Sequence, residues 1–176
     1  MKRKRIGDPG GAMHRILFVC TGNSCRSPMA EALFQARLAG RAPWEARSAG
    51  LFAARGFPAS EGALQALAEI HVDASPHRSQ PVTRELVEQS HWVVPMTRSH
   101  RDALLQAYPD ATSRIRMLSE FREGRPQTDV PDPVGQDLFV YRRIRNQIDS
   151  ALADLLLFLL HASPVATEDS SGVSKE

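Results

Sequence analysis

The stretch RILFVCTGNSCRSPMAEALF, residues 15–34, decides the fold of this chain. Residues 15–19 form a nearly continuous apolar run that ends in a loop of small polar residues, which is typical of a parallel strand buried on both faces. Pro28 suits the first turn of a helix, and apolar side chains then recur at helical spacing as far as Gly40. The stretch therefore predicts a strand, a tight loop and a helix in succession.

Short apolar segments alternate with longer amphipathic segments along the rest of the chain. The pattern predicts further strands at 44–50, 91–96 and 114–118, and further helices from about residue 58, at 81–89, at 98–107 and at 137–160. Strands that alternate with helices imply right-handed crossovers. We therefore expect an α/β fold of three layers, with a doubly wound parallel sheet of four strands between helices. In such sheets ligands bind beyond the carboxyl ends of the strands, where the loop after the first strand lies.

The composition is that of one globular domain. The chain has 176 residues, of which 42% are hydrophobic and 24% are charged, and a chain of this length folds without help from a disulfide or a metal ion. The formal net charge of +2 gives little electrostatic support for a nucleic-acid or membrane partner. The longest apolar run, residues 151–160, contains Asp154 and is about half as long as a membrane-spanning helix.

The two ends of the chain differ in composition from the part between them. Residues 1–13 and 162–176 are predicted to be a disordered leader and a disordered tail, with Met13 as an alternative start. The compact domain is expected over residues 14–161. Residues 1–13 lack the apolar core of a signal peptide, and two cysteines do not make a secreted disulfide framework. The sequence therefore predicts a cytoplasmic protein.

The loop after the first predicted strand holds both cysteines, Cys20 and Cys25. Gly22 permits a positive φ and close approach of the backbone. Because the loop runs into a helix, its N–H groups converge and form a nest for an anion. A thiol at Cys20 would meet positive potential from these amides and from Arg26, which stabilises a thiolate. Arg26 also offers a planar fork that matches two phosphoryl oxygens, and Ser27 can donate to the thiolate. Together these groups predict attack on a tetrahedral oxyanion.

Other interpretations of the two cysteines stay open at this point. A zinc site would need histidine ligands, and neither His14 nor His77 has a suitable spacing from the cysteines. A structural disulfide is disfavoured in the cytoplasm. A buried, inert Cys20 is the third alternative.

Several motifs give the chain a resemblance to a known family. VCTGNSCRSPMAE resembles the Cys-x5-Arg signature of the low-molecular-weight protein tyrosine phosphatases. The resemblance extends through RSAG at 47–50, SPHRSQPV at 75–82, MTRSH at 96–100, DPVG at 132–135 and the final helix. The motifs look most similar to a bacterial branch that includes protein arginine phosphatases. The resemblance covers about residues 14–160 and implies a four-stranded parallel sheet with a phosphate-binding loop after the first strand.

The resemblance also implies roles for individual residues. Cys20 would be the nucleophile, Arg26 would bind the phosphoryl group, and Asp132 would be the general acid, with Asp129 and Asp137 as nearby alternatives. The loop residues around the phosphate would be Thr21, Gly22, Asn23, Ser24, Cys25 and Ser27. The positions that brace this loop in the family are matched by Asn23, Ser48 and His77.

The role of Cys25 is left between two alternatives. A cysteine at this position in the family can trap an oxidised nucleophile as a reversible disulfide. The other interpretation is a thiol that only packs the loop.

Three positions bear on the substrate, and they conflict. Tyrosine-directed members usually have a bulky aliphatic residue at the position of Ser24, whereas arginine phosphatases have a threonine there, whose hydroxyl suits a guanidinium. Tyrosine phosphatases usually have an aromatic residue after Asp-Pro, where this chain has Val134, so stacking on a substrate ring is lost; valine at this position departs from both branches. Phe52 or Phe57 could compensate for that loss. We therefore place Ser24, Phe52 and Val134 in the expected substrate pocket.

The resemblance predicts hydrolysis of phosphoprotein, with phosphotyrosine as the substrate, a phosphocysteine intermediate and inorganic phosphate as a product. Phosphoarginine hydrolysis by the same mechanism is the alternative. A thiol-dependent arsenate reductase would need two more cysteines after Cys25, where the chain has none, and a non-catalytic phosphate-binding module would have lost its catalytic residues. We expect no cofactor and no metal ion, and a monomer or weak dimer.

Overall fold

The computed structural model describes residues 13–39, 43–122, 124 and 126–161. The predicted tail, the leader apart from Met13, and Gly40 lie outside the described residues. The strands are β1 His14–Cys20, β2 Trp44–Gly50 and β3 Trp92–Pro95. The helices are α1 Arg26–Leu38, α2 Glu61–Ala68, α3 Arg84–Glu88, α4 Arg98–Ala107 and α5 Leu138–His161, and two 3₁₀ helices cover Pro109–Arg114 and Leu118–Phe121. None of the described helices combines the length and the hydropathy needed to cross a membrane.

The sheet is parallel, and β1 lies at its centre. The strand order is β2-β1-β3. The register pairs Cys20 with Gly50 at the carboxyl ends of β1 and β2, and it pairs Val19 with Pro95 in β3. The chain therefore winds to one side of β1 and then to the other, and the loop that follows Cys20 opens at the point where the winding reverses.

Alternate side chains of β1 enter two different cores. Ile16 and Phe18 pack with residues of α1, α2 and α5, whereas Leu17 and Val19 pack with residues of α3 and α4. All four side chains are fully buried. The prediction of a parallel strand covered on both faces is confirmed, and helices lie on both sides of the sheet.

The predicted fourth strand at 114–118 is wrong. Ile115 forms a single parallel bridge to Val93, and the Arg116 N–H donates to the Val93 carbonyl at 3.0 Å. The Met117 N–H then donates to the carboxylate of Glu120 at 2.6 Å, which starts the second 3₁₀ helix and turns the chain away from the sheet. The described residues thus form a sheet of three strands.

Helix α1 begins differently from the helices that follow it. Hydroxyls of Ser60, Thr83 and Thr97 accept hydrogen bonds from the first turns of α2, α3 and α4, as N-cap residues commonly do. The residue before α1 is Cys25, and its side chain makes no such capping bond. The N-terminus of α1 therefore keeps backbone donors that face the loop between β1 and α1.

Candidate active site

The loop between β1 and α1 owes its shape to Asn23 rather than to Gly22. Asn23 has a φ of 54°, in the left-handed region that asparagine tolerates better than most residues. Gly22 lies outside that region, contrary to the expectation from sequence. A Cβ added at Gly22 would meet only the Ser24 hydroxyl, at 3.6 Å, so the absent side chain leaves room over the loop for a ligand.

Cys20 lies beside Ser27 at the base of this loop. The Cys20 Sγ is 3.0 Å from the Ser27 Oγ, and both residues are buried. The Ser27 hydroxyl also accepts a hydrogen bond from the Asn23 Nδ2 at 2.9 Å. The serine proton can therefore be donated to the sulfur or to the Ala49 carbonyl, which lies farther away at 3.4 Å, and donation to the sulfur stabilises a thiolate.

Asn23 is the residue on which the loop is braced. Its Nδ2 donates to Ser48 as well as to Ser27, at 2.9 Å in each case, and its Oδ1 accepts from the Gln80 N–H at 2.9 Å. Its carbonyl lies 2.8 Å from the His77 Nε2. The predicted bracing residues Asn23, Ser48 and His77 are thus brought together, and Gln80 joins them.

Glu31 extends this network, although sequence reasoning missed it. The Ser48 hydroxyl donates to the Glu31 carboxylate, which also lies 3.8 Å from the His77 Nδ1. Glu31 stands in the motif VCTGNSCRSPMAE, and Gln80 stands in SPHRSQPV. Their places in these motifs could have identified both residues from the sequence.

Arg26 and Asp132 meet at the mouth of the loop. The Arg26 Nη2 donates to the Asp132 Oδ2 at 2.7 Å, and the side chains are 6% and 46% exposed respectively. The same Arg26 nitrogen lies 3.2 Å from the Thr21 Oγ1, and the Arg26 Nη1 donates to the Val130 carbonyl at 3.3 Å. Among the described residues the Arg26 Nε has no hydrogen-bond partner although it is buried. The guanidinium therefore keeps donors for an oxyanion.

The two alternative acids have other partners. The Asp129 Oδ1 accepts from the Arg98 N–H at 2.9 Å at the start of α4. The Asp137 Oδ1 accepts from the Val140 N–H at 3.0 Å in the first turn of α5. Asp132 is the carboxylate that contacts Arg26, so the geometry favours it over both.

His100 is a third residue that sequence reasoning missed at this site. Its Nε2 lies 2.9 Å from the Thr21 Oγ1, and the residue is 6% exposed. Burial and the nearby charge of Arg26 lower the pKa of His100 to about 4, against the opposing effect of Asp132. The imidazole is therefore neutral at pH 7. The signal was its place in the motif MTRSH.

Cys25 lies on the other side of the loop, among hydroxyl groups. Its Sγ is 3.1 Å from the Ser60 Oγ and 3.5 Å from the Tyr141 hydroxyl. Burial and the hydrogen bond with Cys25 raise the pKa of Tyr141. Both cysteines are free thiols, so Cys25 connects the loop to α2 and α5 without a disulfide.

Of the predicted pocket residues, Ser24 is half-buried in the loop, whereas Phe52 and Val134 are exposed. The Phe52 N–H donates to the Thr21 carbonyl at 2.9 Å, and the Phe52 side chain is 85% exposed. The Val134 N–H donates to the Asp132 Oδ1 at 3.2 Å, and its side chain is also largely exposed. Phe57 is exposed as well. Exposed apolar groups therefore stand next to both the loop and the carboxylate.

Cys20 ends a parallel strand, and the arginine six residues later meets a carboxylate across the loop. That is the arrangement of a cysteine-dependent phosphatase built on an α/β fold. The profile of the family described as "Low molecular weight phosphotyrosine protein phosphatase" matches residues 15–167. The chain belongs to this family.

Three relatives illustrate what the chain is similar to. It is 39% identical to a protein-arginine-phosphatase from Geobacillus stearothermophilus, over 79% of this chain and 91% of the relative. It is 33% identical to a probable low molecular weight protein-tyrosine-phosphatase from Ralstonia nicotianae, over 76% of this chain and 87% of the relative. The solved structure of the arginine phosphatase from G. stearothermophilus has a TM-score of 0.79 at 37% identity, over 84% of this chain and 93% of that chain.

Proposed function

We propose that this protein is a phosphatase that removes phosphoryl groups from proteins through a phosphocysteine on Cys20. The observation that carries the proposal is the convergence of three groups on one loop. Cys20 is 3.0 Å from a serine hydroxyl, Arg26 is buried and its Nε has no partner among the described residues, and Asp132 lies 2.7 Å from Arg26.

The first chemical step forms the intermediate. The Cys20 thiolate attacks phosphorus and forms the S–P bond while the bond from phosphorus to the leaving atom breaks. Asp132 in its protonated form gives its proton to that leaving atom. Arg26 exchanges its contact with Asp132 for phosphoryl oxygens, since its fork suits two of them. A positioned acid of this kind contributes roughly 10²–10⁴ in rate.

The second step releases inorganic phosphate. Asp132, now ionised, takes a proton from water as the water oxygen attacks phosphorus, and the S–P bond breaks. The Ser27 hydroxyl, at 3.0 Å from the sulfur, stabilises Cys20 as it leaves as a thiolate. A nucleophilic thiol must stay reduced, so we place this chemistry in the cytoplasm. That the protein is a monomer or a weak dimer stays a prediction.

Phosphoarginine is our preferred substrate, with phosphotyrosine as the second candidate. Ser24 presents a hydroxyl where an aliphatic side chain would pack on a tyrosine ring, and Val134 offers no aromatic face. The identities do not separate the two candidates, because a protein named an arginine phosphatase and a solved structure named a tyrosine phosphatase are each 39% identical to this chain. Phosphotyrosine is favoured by the exposed Phe52 beside the loop, which could stack on a ring.

The nucleophile is tested with Cys20→Ser. We expect this variant to lose turnover of an aryl phosphate and to keep its circular dichroism spectrum and its binding of inorganic phosphate. Full turnover by Cys20→Ser would overturn the proposal.

The substrate is tested by steady-state kinetics on phosphoarginine and phosphotyrosine peptides of the same sequence. We expect the wild type to prefer phosphoarginine and Ser24→Ile to shift the ratio of kcat/KM towards phosphotyrosine. Ser24→Thr is the matched control, because it adds one methyl group and keeps the hydroxyl. An unchanged ratio in Ser24→Ile would mean that Ser24 does not set the specificity.

A further inference from the structure

His100 has no part in the mechanism above, yet it is in contact with the loop. It lies in the first turn of α4, is 6% exposed and lies 2.9 Å from the hydroxyl of Thr21. Thr21 itself is exposed at the mouth of the loop, directly after the nucleophile. The positions of the protons on these side chains decide whether the Thr21 hydroxyl donates to His100 or accepts from it.

The Thr21 hydroxyl has one proton and two acceptor lone pairs. The Arg26 Nη2, at 3.2 Å, can only donate to it, since a guanidinium has no acceptor. The bond to His100 can run in either direction. If the hydroxyl donates to the His100 Nε2, then the imidazole proton must sit on Nδ1; if the Nε2–H donates, then Nδ1 carries only a lone pair.

One observation favours the proton on Nε2. The His100 Nδ1 is buried and has no hydrogen-bond partner among the described residues, and an N–H group left there without an acceptor would be a rare and costly arrangement. With the proton on Nε2, Nδ1 carries only a lone pair, and the imidazole has no buried N–H group that lacks an acceptor.

We infer that His100 is a positioning residue, which as the neutral Nε2–H tautomer donates to Thr21 and, together with Arg26, fills both lone pairs of its hydroxyl. The Thr21 proton must then point away from His100 and Arg26. The remaining direction leads into the mouth of the loop. The pair thus converts an exposed hydroxyl, which could otherwise rotate freely, into a hydrogen-bond donor of fixed direction.

The direction places this donor where the reaction takes place. The Thr21 Oγ1 and the Asp132 Oδ2 contact the same Arg26 nitrogen, at 3.2 and 2.7 Å, so the hydroxyl lies beside the general acid. Resting on the proposed function, we assign the Thr21 proton to a phosphoryl oxygen of the bound substrate. A donor that is held in place in this way stabilises charge that develops on that oxygen, with no cost of reorientation during the reaction.

Two substitutions of His100 separate this role from simple packing. His100→Phe keeps a flat ring between α4 and the loop but cannot donate. His100→Gln loses the ring, but its amide N–H reaches approximately the position of Nε2. If His100 donates to Thr21, then the glutamine variant is the more active of the two; if His100 only fills space, the phenylalanine variant is.

The first measurement is made without turnover. Long-range ¹H–¹⁵N NMR of the imidazole groups in uniformly labelled protein, assigned with His100→Gln, reports which ring nitrogen of His100 carries the proton at pH 7. We expect Nε2–H, with and without inorganic phosphate. A proton on Nδ1, or an imidazolium, overturns the inference whether or not the protein proves to be a phosphatase.

The second measurement is kinetic, on an aryl phosphate. We expect kcat/KM to fall about 10-fold in His100→Phe, mainly through kcat, because the lost group orients a transition-state donor. His100→Gln should recover to within about 3-fold of the wild type, and His100→Phe/Thr21→Val should be no worse than Thr21→Val alone.

The control is His71→Asn, an exposed histidine whose φ of 60° suits asparagine; it should leave kcat/KM unchanged. The inference would be contradicted if kcat/KM fell as far in His100→Gln as in His100→Phe, or if the losses of kcat/KM were additive in the double variant. An inactive wild type would instead count against the proposed function. If His100→Phe fails to fold, then the inference is tested by comparing the kcat/KM of His100→Gln with that of Thr21→Val.

Discussion

Gly50 offers the sharpest test of how the loop is held. It ends β2 beside the loop, and a Cβ built on it would lie 2.5 Å from the Thr21 carbonyl oxygen and 2.8 Å from the Asn23 nitrogen. Real Cβ atoms essentially never come within 3.0 Å of another heavy atom, so Gly50→Ala must separate these groups by at least 0.5 Å. Gly50 cannot yield, because its N–H donates to Gln80 and its carbonyl accepts from Val82, both at 2.9 Å.

The loop is therefore the part that moves, and the moved atoms are the backbone of the residues around the phosphate. Overpacking of this kind typically costs about 1–3 kcal/mol of the free energy of unfolding. A displacement of about 1 Å at a reacting centre costs roughly 10²-fold in rate. We expect Gly50→Ala to fold with a lowered Tm and to lose about 10- to 100-fold in kcat/KM on an aryl phosphate.

Gly62→Ala is the comparison variant, since its Cβ would lie 2.5 Å from the ring of Tyr141, which reaches the loop only through its hydroxyl, 3.5 Å from the Cys25 Sγ, and not through the loop backbone. We expect it to destabilise the protein to a similar extent and to leave kcat/KM within about 3-fold of the wild type. Thermal unfolding and kcat/KM are measured on both variants. A Gly50→Ala protein with wild-type kcat/KM, or equal losses of activity in the two variants, would refute this account of the loop.

Three further predictions follow from the site. Asp132→Asn should lower kcat by about 10²–10⁴-fold on an aryl phosphate; retention of kcat would transfer the acid role to another group. Asn23→Ala should be about 1–2 kcal/mol less stable to urea than Asn23→Gly, because both lose the side-chain bonds but only alanine is strained at a φ of 54°. His100 has a pKa of about 4 when folded and 6.5 as its ordinary value. The unfolded chain therefore binds a proton at His100 that the folded protein does not bind between these values, and stability falls as the pH drops. Between pH 7 and pH 5 the wild type should lose about 2 kcal/mol more than His100→Phe, measured by urea unfolding, whereas Thr21→Val keeps the buried imidazole and should follow the wild type.

The sequence allowed the first strand, its loop and α1 to be predicted because the deciding information is local. The apolar run, the small residues after it and the helical spacing all lie within residues 15–34. The segment 114–118 interleaves arginines with apolar residues, and its apolar side chains Met117 and Leu118 are buried as a strand would require. Its conformation is decided by the Glu120 carboxylate, which accepts from the Met117 N–H. Hydrophobicity predicts burial there, and a single capping bond decides between a strand and a 3₁₀ turn.

The site divides in the same way. Cys20, Arg26 and Ser27 could be assigned from chemistry because they stand within one short segment whose geometry follows from a strand, a loop and a helix. The contacts that were missed join residues far apart in the chain, with separations of 57 residues from Asn23 to Gln80 and 79 from Thr21 to His100.

Gln80 and His100 contact loop residues rather than the substrate, so their residue types alone do not indicate a role. His100 illustrates the reason most clearly. An exposed histidine would titrate near pH 6.5 and either donate or accept, whereas burial against Arg26 keeps this one neutral, and the absence of a partner at Nδ1 among the described residues assigns its proton to Nε2. The direction of its hydrogen bond is thus a property of the folded environment, which no local pattern in the sequence can encode.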